Sequence, residues 1–344
     1  MILNSCMNAS IIIVNWNGKA HLQACLESIK AQTYSAFETI LIDNGSIDGS
    51  LEFVEAHYPW VKRVALSVNQ GFAGGNNVGF LNATGDYIVT LNNDTEVDPN
   101  WLGELVRAAD DNPAVGMVAS RICSYDDHDL IDSLGIKICR DGMSRGAFRM
   151  QRFSELSLEK MEEVLIPSAC AALYRRSMIE TIGFFDEDFF AYCEDTDLGL
   201  RGRRAGWKAL LARDAVIYHK YSQTGGTFSP LKLYLVERNH YWVALKNYPL
   251  SWILALPIST LRRYIYQAYM VMFSKGAGYQ FTASNSKSAC AMAVIRGVVD
   301  ALKMLPKMWA ERRVLASKRK LDVQEFERLL REYELTYREL LDAS

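Results

Sequence analysis

Residues 92–98, NNDTEVD, place several oxygen-bearing side chains directly after the apolar run Tyr87–Leu91. Carboxylate and amide oxygens are the ligands that hard divalent cations such as Mg²⁺ take in proteins. The pattern therefore predicts a cation site formed by Asn92, Asn93 and Asp94 at the end of a buried strand. The alternative explanation is a turn, because asparagine and aspartate also bond nearby backbone amides.

A second acidic stretch, Asp186–Asp197, carries six carboxylates beside the aromatic residues Phe189, Phe190 and Tyr192. One carboxylate could act as a general base that takes the proton from a hydroxyl group. The rings offer apolar surface for the C–H face of a sugar. The alternative is that these acids stabilise the positive end of a helix dipole.

Polar residues also follow two apolar runs near the N-terminus. Asn15 and Asn17 come after the run Ile11–Val14, and Asp43 and Gly45 come after a second run. A carboxylate at position 43 could accept a hydrogen bond from the N–H of a pyrimidine ring. A turn or a helix cap is the alternative role for this aspartate.

Residues 69–80, NQGFAGGNNVGF, form a glycine-rich element whose backbone could approach a ligand near a helix start. Asn76 and Asn77 are suited to bind a ribose or a diphosphate, and helix capping is their alternative role. The GxGxxG pattern is absent, and the element follows the third strand rather than the first. Both facts argue against a nicotinamide-dependent dehydrogenase, which would have to bind that cofactor.

Strand-like and helix-like segments alternate through the first 120 residues, which predicts a mainly parallel sheet with helices on both faces. Ligands bind beyond the carboxyl ends of the strands in such sheets, and all the polar clusters above fall at these ends. The predicted strands are 10–15, 37–42, 61–66, 87–91 and 115–119, with later ones at 169–174 and within 209–218. The predicted helices are 19–31, one that begins near Asp48, 76–83, 99–110, 176–182 and 194–205.

Everything from Pro230 onward is predicted to be helical, with segments at 231–247, 249–273, 286–320 and 322–341. Basic residues lie beside apolar faces in the second and third of these segments, as in helices at a membrane surface. Packing on the rest of the protein, or on another subunit, is the alternative. The segment 322–341 is amphipathic and could serve a homodimer.

The chain has 344 residues and a formal net charge of −2, which offers nucleic acid no general attraction. Its seven cysteines include no CxxC pair, which argues against a zinc cluster and is typical of a reducing compartment. Met1–Ser10 lacks the basic start and long apolar core of a signal peptide, so we expect a cytoplasmic protein. The apolar stretch Leu250–Leu261 is shorter than the about 20 residues that span a bilayer.

Six stretches together resemble the family 2 glycosyltransferases, which have the GT-A fold, and the similarity covers about residues 9–245. They are VNWNG (14–18), DNGSIDGS (43–50), LNNDTEVD (91–98), FDEDFFAYCEDTDLGLRGRRAGW (185–207), IYHKYSQTGG (217–226) and ERNHYW (237–242). The bacterial rhamnosyltransferase-type members, which build cell-surface polysaccharide, look most similar. The resemblance implies an α/β GT-A domain over residues 1–228, with a nucleotide-binding half (9–120) and an acceptor-binding half (121–228). Residues 229–344 would form a helical extension.

The resemblance also assigns roles at the donor site. In the family, the position of Asp43 binds the nucleotide base, and an Asp-X-Asp motif binds a divalent metal. This chain has Asn92 in place of the first aspartate, so Asp94 becomes the main metal ligand. A histidine near the position of His219 completes the metal shell, although a lone histidine is otherwise more often structural. Imidazole suits Mn²⁺ better than Mg²⁺ as a ligand, and we expect the site to bind one of these two metals.

The family places its catalytic base in a Glu-Asp pair at a helix start, which is Glu194-Asp195 here, and we select Asp195. Arg238 matches a family residue near the diphosphate. The remaining residues assigned to donor binding are Asn15, Asn17, Gly45, Asn76, Asn92 and Asn93.

The resemblance implies an inverting glycosyltransferase at the inner face of the cell membrane. Its donor would be a nucleoside-diphosphate sugar, dTDP-rhamnose or a UDP-sugar, and its acceptor a glycan or lipid-linked glycan. The alternative is a non-catalytic scaffold that binds sugar nucleotides or glycans, which the asparagine in the metal motif would suit.

Overall fold

The computed structural model describes residues 8–220 and 228–341 of the chain. The strands are β1 (Ala9–Asn15), β2 (Phe37–Asp43), β3 (Lys62–Ala65), β4 (Tyr87–Leu91), β5 (Thr95–Val97), β6 (Val115–Ser124), β7 (Ile131–Ser133), β8 (Ile136–Ile138), β9 (Ser144–Gly146), β10 (Met161–Glu163), β11 (Ala171–Arg175) and β12 (Lys208–His219). The helices up to residue 204 are α1 (Lys19–Lys30), α2 (Ser50–His57), α3 (Gly71–Asn82), α4 (Trp101–Asp110), α5 (Arg176–Ile182) and α6 (Glu194–Arg204), with short 3₁₀ helices at Phe153–Glu155 and Glu187–Phe189. The C-terminal helices are α7 (Pro230–Asn247), α8 (Leu250–Met272), α9 (Gly276–Ser284), α10 (Lys287–Lys303), α11 (Leu305–Ala316), α12 (Val323–Glu332) and α13 (Tyr337–Leu341).

The main sheet has the strand order β3-β2-β1-β4-β11-β6-β12-β10, and β5 and β7 pair with β12 and β6. The strands from β3 to β4 run parallel, and β11 enters antiparallel between β4 and β6. Asn15 lies opposite Asp43 in this register, and the chain just before β11 lies beside the end of β4. One edge of the sheet therefore collects the carboxyl ends of the parallel strands, as the sequence predicts.

Helices cover both faces of the sheet, which explains why its central strands are apolar without alternation. Ile11 and Ile13 pack on one face in a core shared with α1 and α4. Ile12 points to the other face, where it packs with α3, α5 and α6. The predicted α/β architecture with a helical C-terminal region is confirmed.

β12 is one strand of twelve residues, where the sequence suggested one or two short ones. It pairs with β6 along its length, with register shifts at Lys208/Ala209 and between Ala212 and Val216, and its last three residues, Ile217–His219, also pair with β5. The same pairing extends β6 to Ser124, beyond the predicted end at Ala119. Because of this length, His219 lies at the edge of the sheet where the carboxyl ends of the parallel strands meet.

Two of the predicted long C-terminal helices are each divided in two. The segment 286–320 breaks at Met304 because Pro306, in the first turn of α11, cannot donate a backbone hydrogen bond to the preceding turn. The segment 322–341 forms α12 and α13, and the backbone of Leu335 between them donates to Ile138 O at 2.7 Å. Among the described residues, no helix has both the length and the hydropathy to cross a bilayer.

The apolar face of α12 is covered within the protomer. Phe326 and Leu330 are fully buried in a core shared with α7, α8 and Ile138. Arg204 also packs over the Phe326 ring, 4.9 Å from its centroid. The apolar face that suggested a dimerising helix is therefore already buried within the protomer.

Gly71 opens α3 with φ +75°, and a Cβ there would collide with the carbonyl oxygen and ring of Phe190. We expect Gly71→Ala to lower the free energy of unfolding by about 2 kcal/mol, since it combines left-handed strain with a clash against backbone. Urea denaturation followed by circular dichroism measures this.

Gly103→Ala is the matched control, because Gly103 lies in α4 with the nearest neighbour of an added Cβ, Tyr34 Cβ, at 3.7 Å. It should be neutral or raise the free energy of unfolding by up to about 1 kcal/mol. Equal stability of the two variants would contradict the close contact between α3 and the 190 segment.

Candidate functional site

A cleft of about 540 Å³ opens at the carboxyl edge of the sheet. Its lining brings together six of the residues predicted from the sequence: Asn92, Asn93, Asp94, Glu194, Asp195 and His219. Asp94 and Asp195 are separated by a hundred positions in the chain, and they share this one cleft. Residues of the 132–149 segment and of α7 complete the lining of the cleft.

Asp94 and His219 form the most polar corner of the cleft. His219 Nε2 lies 3.4 Å from Asp94 Oδ1, because β12 pairs with β5 just after Asp94. His219 Nδ1 lies 2.8 Å from Asp132 Oδ2, which fixes the orientation of the ring. A carboxylate on the second ring nitrogen is the usual partner of a metal-binding histidine.

The charges in this corner are strongly coupled. Burial alone would lower the pKa of His219, but Cys170, Asp132 and Asp94 raise it well above its ordinary value. Burial would raise the pKa of Asp132, yet His219 and Arg149 hold it below the usual range. His219 and Arg149, which pairs with Asp132 at 2.6 Å, together offset the two carboxylates of this corner. Ser222, Thr224, Gly225 and Gly226, which the sequence places in the loop after His219, lie outside the described residues.

The pair Glu194-Asp195 begins α6 after a strained loop. Phe190, Tyr192 and Cys193 have φ of 64°, 68° and 67°, a region that residues other than glycine rarely adopt. Such strain persists only where surrounding contacts hold the backbone, and it is frequent at functional sites. The strained loop directs both carboxylates toward the cleft.

Both carboxyl groups hold protons more tightly than usual. Burial raises the pKa of Asp195, even though its Oδ2 accepts a bond from Ala169 N at 3.2 Å and its Oδ1 from Thr196 N at 2.7 Å. Burial and the charge of Asp195 raise the pKa of Glu194 well above its ordinary value. Glu194 Oε2 is buried without a hydrogen-bond partner among the described residues. Neighbouring carboxyls cannot both ionise cheaply, and of the two the pKa of Glu194 is raised the more strongly.

Arg238 and Asn239 support the strained loop from α7. The Asn239 amide donates to the carbonyl oxygens of Phe189, Ala191 and Tyr192 at 3.0, 2.9 and 2.7 Å. Arg238 donates to Phe189 O at 3.0 Å and to Asn239 Oδ1 at 2.9 Å. Arg238 is thus placed behind the loop rather than in the lining of the cleft.

The predicted residues at the ends of β1 and β2 form a hydrogen-bonded layer beside the cleft. Asn93 Nδ2 donates to Asn15 Oδ1 at 2.7 Å, which joins this layer to the metal-motif segment. Asn17 Oδ1 accepts from Ile47 N at 2.8 Å, and Gly45 turns the chain with φ +76°. The buried Asp43 accepts from Ser46 N through Oδ2 at 3.2 Å.

Two acceptor atoms beside the cleft, on Asp43 and on Asn76 of α3, have no protein partner among the described residues. They are Asp43 Oδ1 and Asn76 Oδ1, and both are buried. Asn76 Nδ2 donates to Phe72 O at 2.9 Å inside α3, so only its oxygen is unused. The assignments of Asn15, Asn17, Asp43, Gly45 and Asn76 to donor binding stay predictions.

Several residues of the cleft were missed by sequence reasoning. Trp16, which is 42% exposed, projects at the end of β1 between the two predicted asparagines. Asp132, Arg145, Arg149 and Lys232 also bring charge to the lining of the cleft. The position of Trp16 between two asparagines, directly after an apolar run, was a sequence signal that could have identified it. The other four residues lie in irregular or amphipathic segments that carry no such signal.

Comparison with known proteins identifies the family of the chain. The family model "Glycosyl transferase family 2" matches residues 10–183, just over half of the chain. The N-acetylglucosaminyl-diphospho-decaprenol L-rhamnosyltransferase of Mycobacterium tuberculosis is 28% identical over 236 residues, covering 62% of this chain and 77% of that protein. The O-antigen biosynthesis protein RfbC of Myxococcus xanthus is 28% identical over 241 residues, covering 66% of this chain and 19% of that protein.

Solved structures share the fold at low sequence identity. S. aureus TarS 1-349 superposes with a TM-score of 0.56 at 16% identity, covering 95% of this chain and 91% of that one. GalNAc-T7, solved with UDP, GalNAc and Mn²⁺, gives a TM-score of 0.58 at 17% identity over 71% of this chain and 48% of that one. The expected GT-A fold is confirmed by these neighbours. The chain belongs to glycosyltransferase family 2 and is a glycosyltransferase of the rhamnosyltransferase-like type.

Proposed function

We propose that the chain transfers a sugar, with inversion, from a nucleoside-diphosphate donor to a hydroxyl of a glycan or lipid-linked glycan. The observation that carries this proposal is the shared cleft, in which the Asp94–His219 corner and Asp195 face one space. A donor diphosphate and an acceptor hydroxyl must meet in such a space before the sugar can pass between them.

Asp94 and His219 are proposed to hold a divalent cation, Mg²⁺ or Mn²⁺. The Asp94 Oδ1–His219 Nε2 separation of 3.4 Å suits two ligands of one cation, and Asp132 supports the histidine from behind. Asn92, which replaces the first aspartate of the family motif, would add a neutral amide near Asp94. When bound, the cation offsets the negative charge that grows on the departing diphosphate.

Asp195 is proposed to deprotonate the acceptor hydroxyl. Its raised pKa makes it a stronger base than an ordinary aspartate, and the bonds from Ala169 N and Thr196 N fix its orientation. Glu194, protonated beside it, leaves Asp195 as the ionised member of the pair. Arg238 and Asn239 act through the loop that they hold and are positioning residues.

The donor nucleotide is proposed to lie against the layer at the ends of β1 and β2. The unused Asp43 Oδ1 could accept the ring N–H of uracil or thymine, and the exposed Trp16 offers a flat apolar surface nearby. We propose dTDP-rhamnose or a UDP-sugar as donor. The name of the Mycobacterium tuberculosis relative supports the former, and TarS structures with UDP and UDP-GlcNAc support the latter.

The acceptor is proposed to enter from the side of the 121–228 half. Arg145 and Arg149 of that half line the cleft together with Lys232 of α7, and their charge suits an acceptor that carries phosphate. The relative that acts on N-acetylglucosaminyl-diphospho-decaprenol supports a lipid-linked acceptor in polysaccharide synthesis. The division into a nucleotide half (9–120), an acceptor half (121–228) and a helical region (229–344) is part of this proposal.

Replacing the base tests its role. We expect Asp195→Asn to lower kcat by roughly 10²- to 10⁴-fold while nucleotide binding is retained, because the amide cannot accept the hydroxyl proton. Glu194→Gln is the matched variant, since glutamine resembles the protonated glutamate, and it should lose far less. Transfer assays and isothermal titration with nucleotide measure both. Equal losses in the two variants would remove Asp195 as the base.

The assignment of Asp195 as the base also predicts how kcat/KM depends on pH. Asp195 must be ionised to act, so kcat/KM should fall as the pH is lowered through its pKa. Since burial raises that pKa, the fall begins at a higher pH than for an ordinary aspartate. A pH–rate profile of the wild-type protein checks this. A rate that stays level down to the usual aspartate range would contradict the assignment.

Replacing Asp94 tests the cation site. Asp94→Ala should weaken the metal-dependent part of donor binding by at least about tenfold, because the main carboxylate ligand is lost. Titration of the donor with and without Mn²⁺ measures the effect. Asp111→Ala, at the exposed end of α4, loses the same charge and should leave donor affinity unchanged. Equal donor affinity in wild type and Asp94→Ala, both with metal, would defeat the assignment.

The base specificity can be measured directly. In a thermal-shift panel with Mg²⁺ or Mn²⁺, UDP- and dTDP-sugars should raise Tm, since Asp43 can accept the ring N–H of uracil or thymine. The pyrimidine shift should be smaller in Asp43→Ala. Stabilisation by GDP-sugars alone would overturn the base assignment, and sugar-nucleotide binding without any turnover would favour the scaffold alternative.

A further inference from the structure

We propose that α8 and α10 form a docking surface for the face of an anionic phospholipid bilayer. The proposal deepens the proposed function and rests on it for one point, the lipid-linked acceptor that such a membrane would carry. The first observation is an apolar stripe on α8 whose members are 52–74% exposed. It consists of Leu250, Leu254, Ile258, Leu261, Ile265, Tyr269 and Met272.

The spacing of the stripe suits a flat partner. Its steps are four, four and three residues, repeated, so that three turns take eleven residues. This period is close to that of a straight helix, and the stripe runs nearly parallel to the axis for about 33 Å. A partner helix in a left-handed coiled coil would instead require a period of 3.5 residues.

A second stripe lies on α10 and joins the first across a groove. Its members, Met292, Ile295, Val299 and Leu302, are 43–64% exposed. Leu261 of α8 and Leu302 of α10 both line an apolar groove of about 400 Å³, whose other wall residues include Tyr241 and Leu245 of α7. The two stripes and the groove are therefore one continuous apolar surface, larger than the scattered exposed side chains of ordinary surfaces.

Basic charge predominates around this surface, and the one acid on α10, Asp300, pairs with Arg296 and Lys303. From Arg238 to Val299 the sequence contains no aspartate or glutamate. The basic residues of that segment are Arg238, Lys246, Arg262, Arg263, Lys275, Lys287 and Arg296. Arg262, Lys275, Lys287 and Arg296 are exposed. An apolar face bordered by exposed basic residues complements a layer of anionic headgroups above acyl chains.

The surface and the catalytic cleft share helix α7. Lys232, Leu235 and Val236 line the cleft, and Tyr241 lines the groove. Lys232 and Tyr241 are nine residues apart, which is about 14 Å along the helix axis. A bilayer docked on α8 and α10 would therefore lie close to the cleft wall where a lipid-linked acceptor must enter.

Vesicle co-sedimentation of the full chain tests the proposal. We expect binding to vesicles of phosphatidylcholine with phosphatidylglycerol, and weaker binding to phosphatidylcholine alone or at high salt. The double variant Leu254→Ser/Ile265→Ser should bind about tenfold more weakly, because two apolar side chains no longer enter the lipid. The control Leu81→Ser/Val323→Ser replaces equally exposed residues of α3 and α12 and should bind like wild type. Circular dichroism checks that each variant is folded.

The basic border has its own variant. Arg262→Gln/Lys275→Gln should lose the preference for anionic vesicles while keeping the residual binding to neutral ones. Wild-type protein that stays in the supernatant with anionic vesicles would overturn the proposal, and so would unchanged binding of Leu254→Ser/Ile265→Ser. A dimer in analytical ultracentrifugation that this variant dissociates, without vesicle binding, would assign the surface to a second copy instead.

Transfer assays separate this proposal from the proposed function. Leu254→Ser/Ile265→Ser should retain transfer to a water-soluble acceptor and lose transfer to a lipid-linked acceptor in vesicles. Vesicle binding by a protein that transfers sugar to neither acceptor would support the surface and count against the proposed function. Equal transfer by wild type and variant to the vesicle-embedded acceptor would count against the surface.

Discussion

The site depends on one electrostatic constraint, which is that Asp94 and Asp132 approach the same buried imidazole. Two carboxylates held out of water require a positive partner, because an uncompensated buried charge is costly. His219 supplies positive charge between them, bonded to Asp132 through Nδ1 and close to Asp94 through Nε2, and Arg149 also pairs with Asp132 at 2.6 Å. Three separate parts of the sheet must meet for this contact: the turn after β4, the short β7 and the far end of β12. The unusual length of β12 and its register shift are the structural means by which this happens.

Helix α7 supports the loop that precedes the Glu194-Asp195 pair. The strained segment before α6 is held by Asn239 and Arg238, both on α7. Its backbone conformation would relax without these bonds, and Asp195 would lose its direction toward the cleft. The helices also share a core with Ile138, Ile166 and Leu200 of the sheet domain. A boundary near residue 228 therefore separates segments of sequence that fold around a common core.

The sequence predicted most of what depends on local pattern. Apolar runs ending in Asn92–Asp94 and Asp43 located the functional edge of the sheet, and the motif resemblance pointed to Asp195 and His219. Asp132 was missed because its role arises from a contact with a residue 87 positions away, and no pattern near it in the chain indicates such a contact. By contrast, the break between α10 and α11 had a local signal in Pro306, which the long-helix prediction overlooked.

A second acidic cluster shows why the cleft is the better cation site. Asp186, Asp188 and Glu311 bring three carboxylates together near α11. Lys246 pairs with Asp186 and Glu311, and Lys307 pairs with Asp188. Burial alone would lower the pKa of Lys246, but Asp197 and Asp186 raise it above its ordinary value, so its charge is permanent. An entering metal would have to displace a buried ammonium group. At the cleft the group beside Asp94 is an imidazole, which in its neutral form is itself a metal ligand, so a bound cation would take the place of the ring proton without any side chain leaving the site.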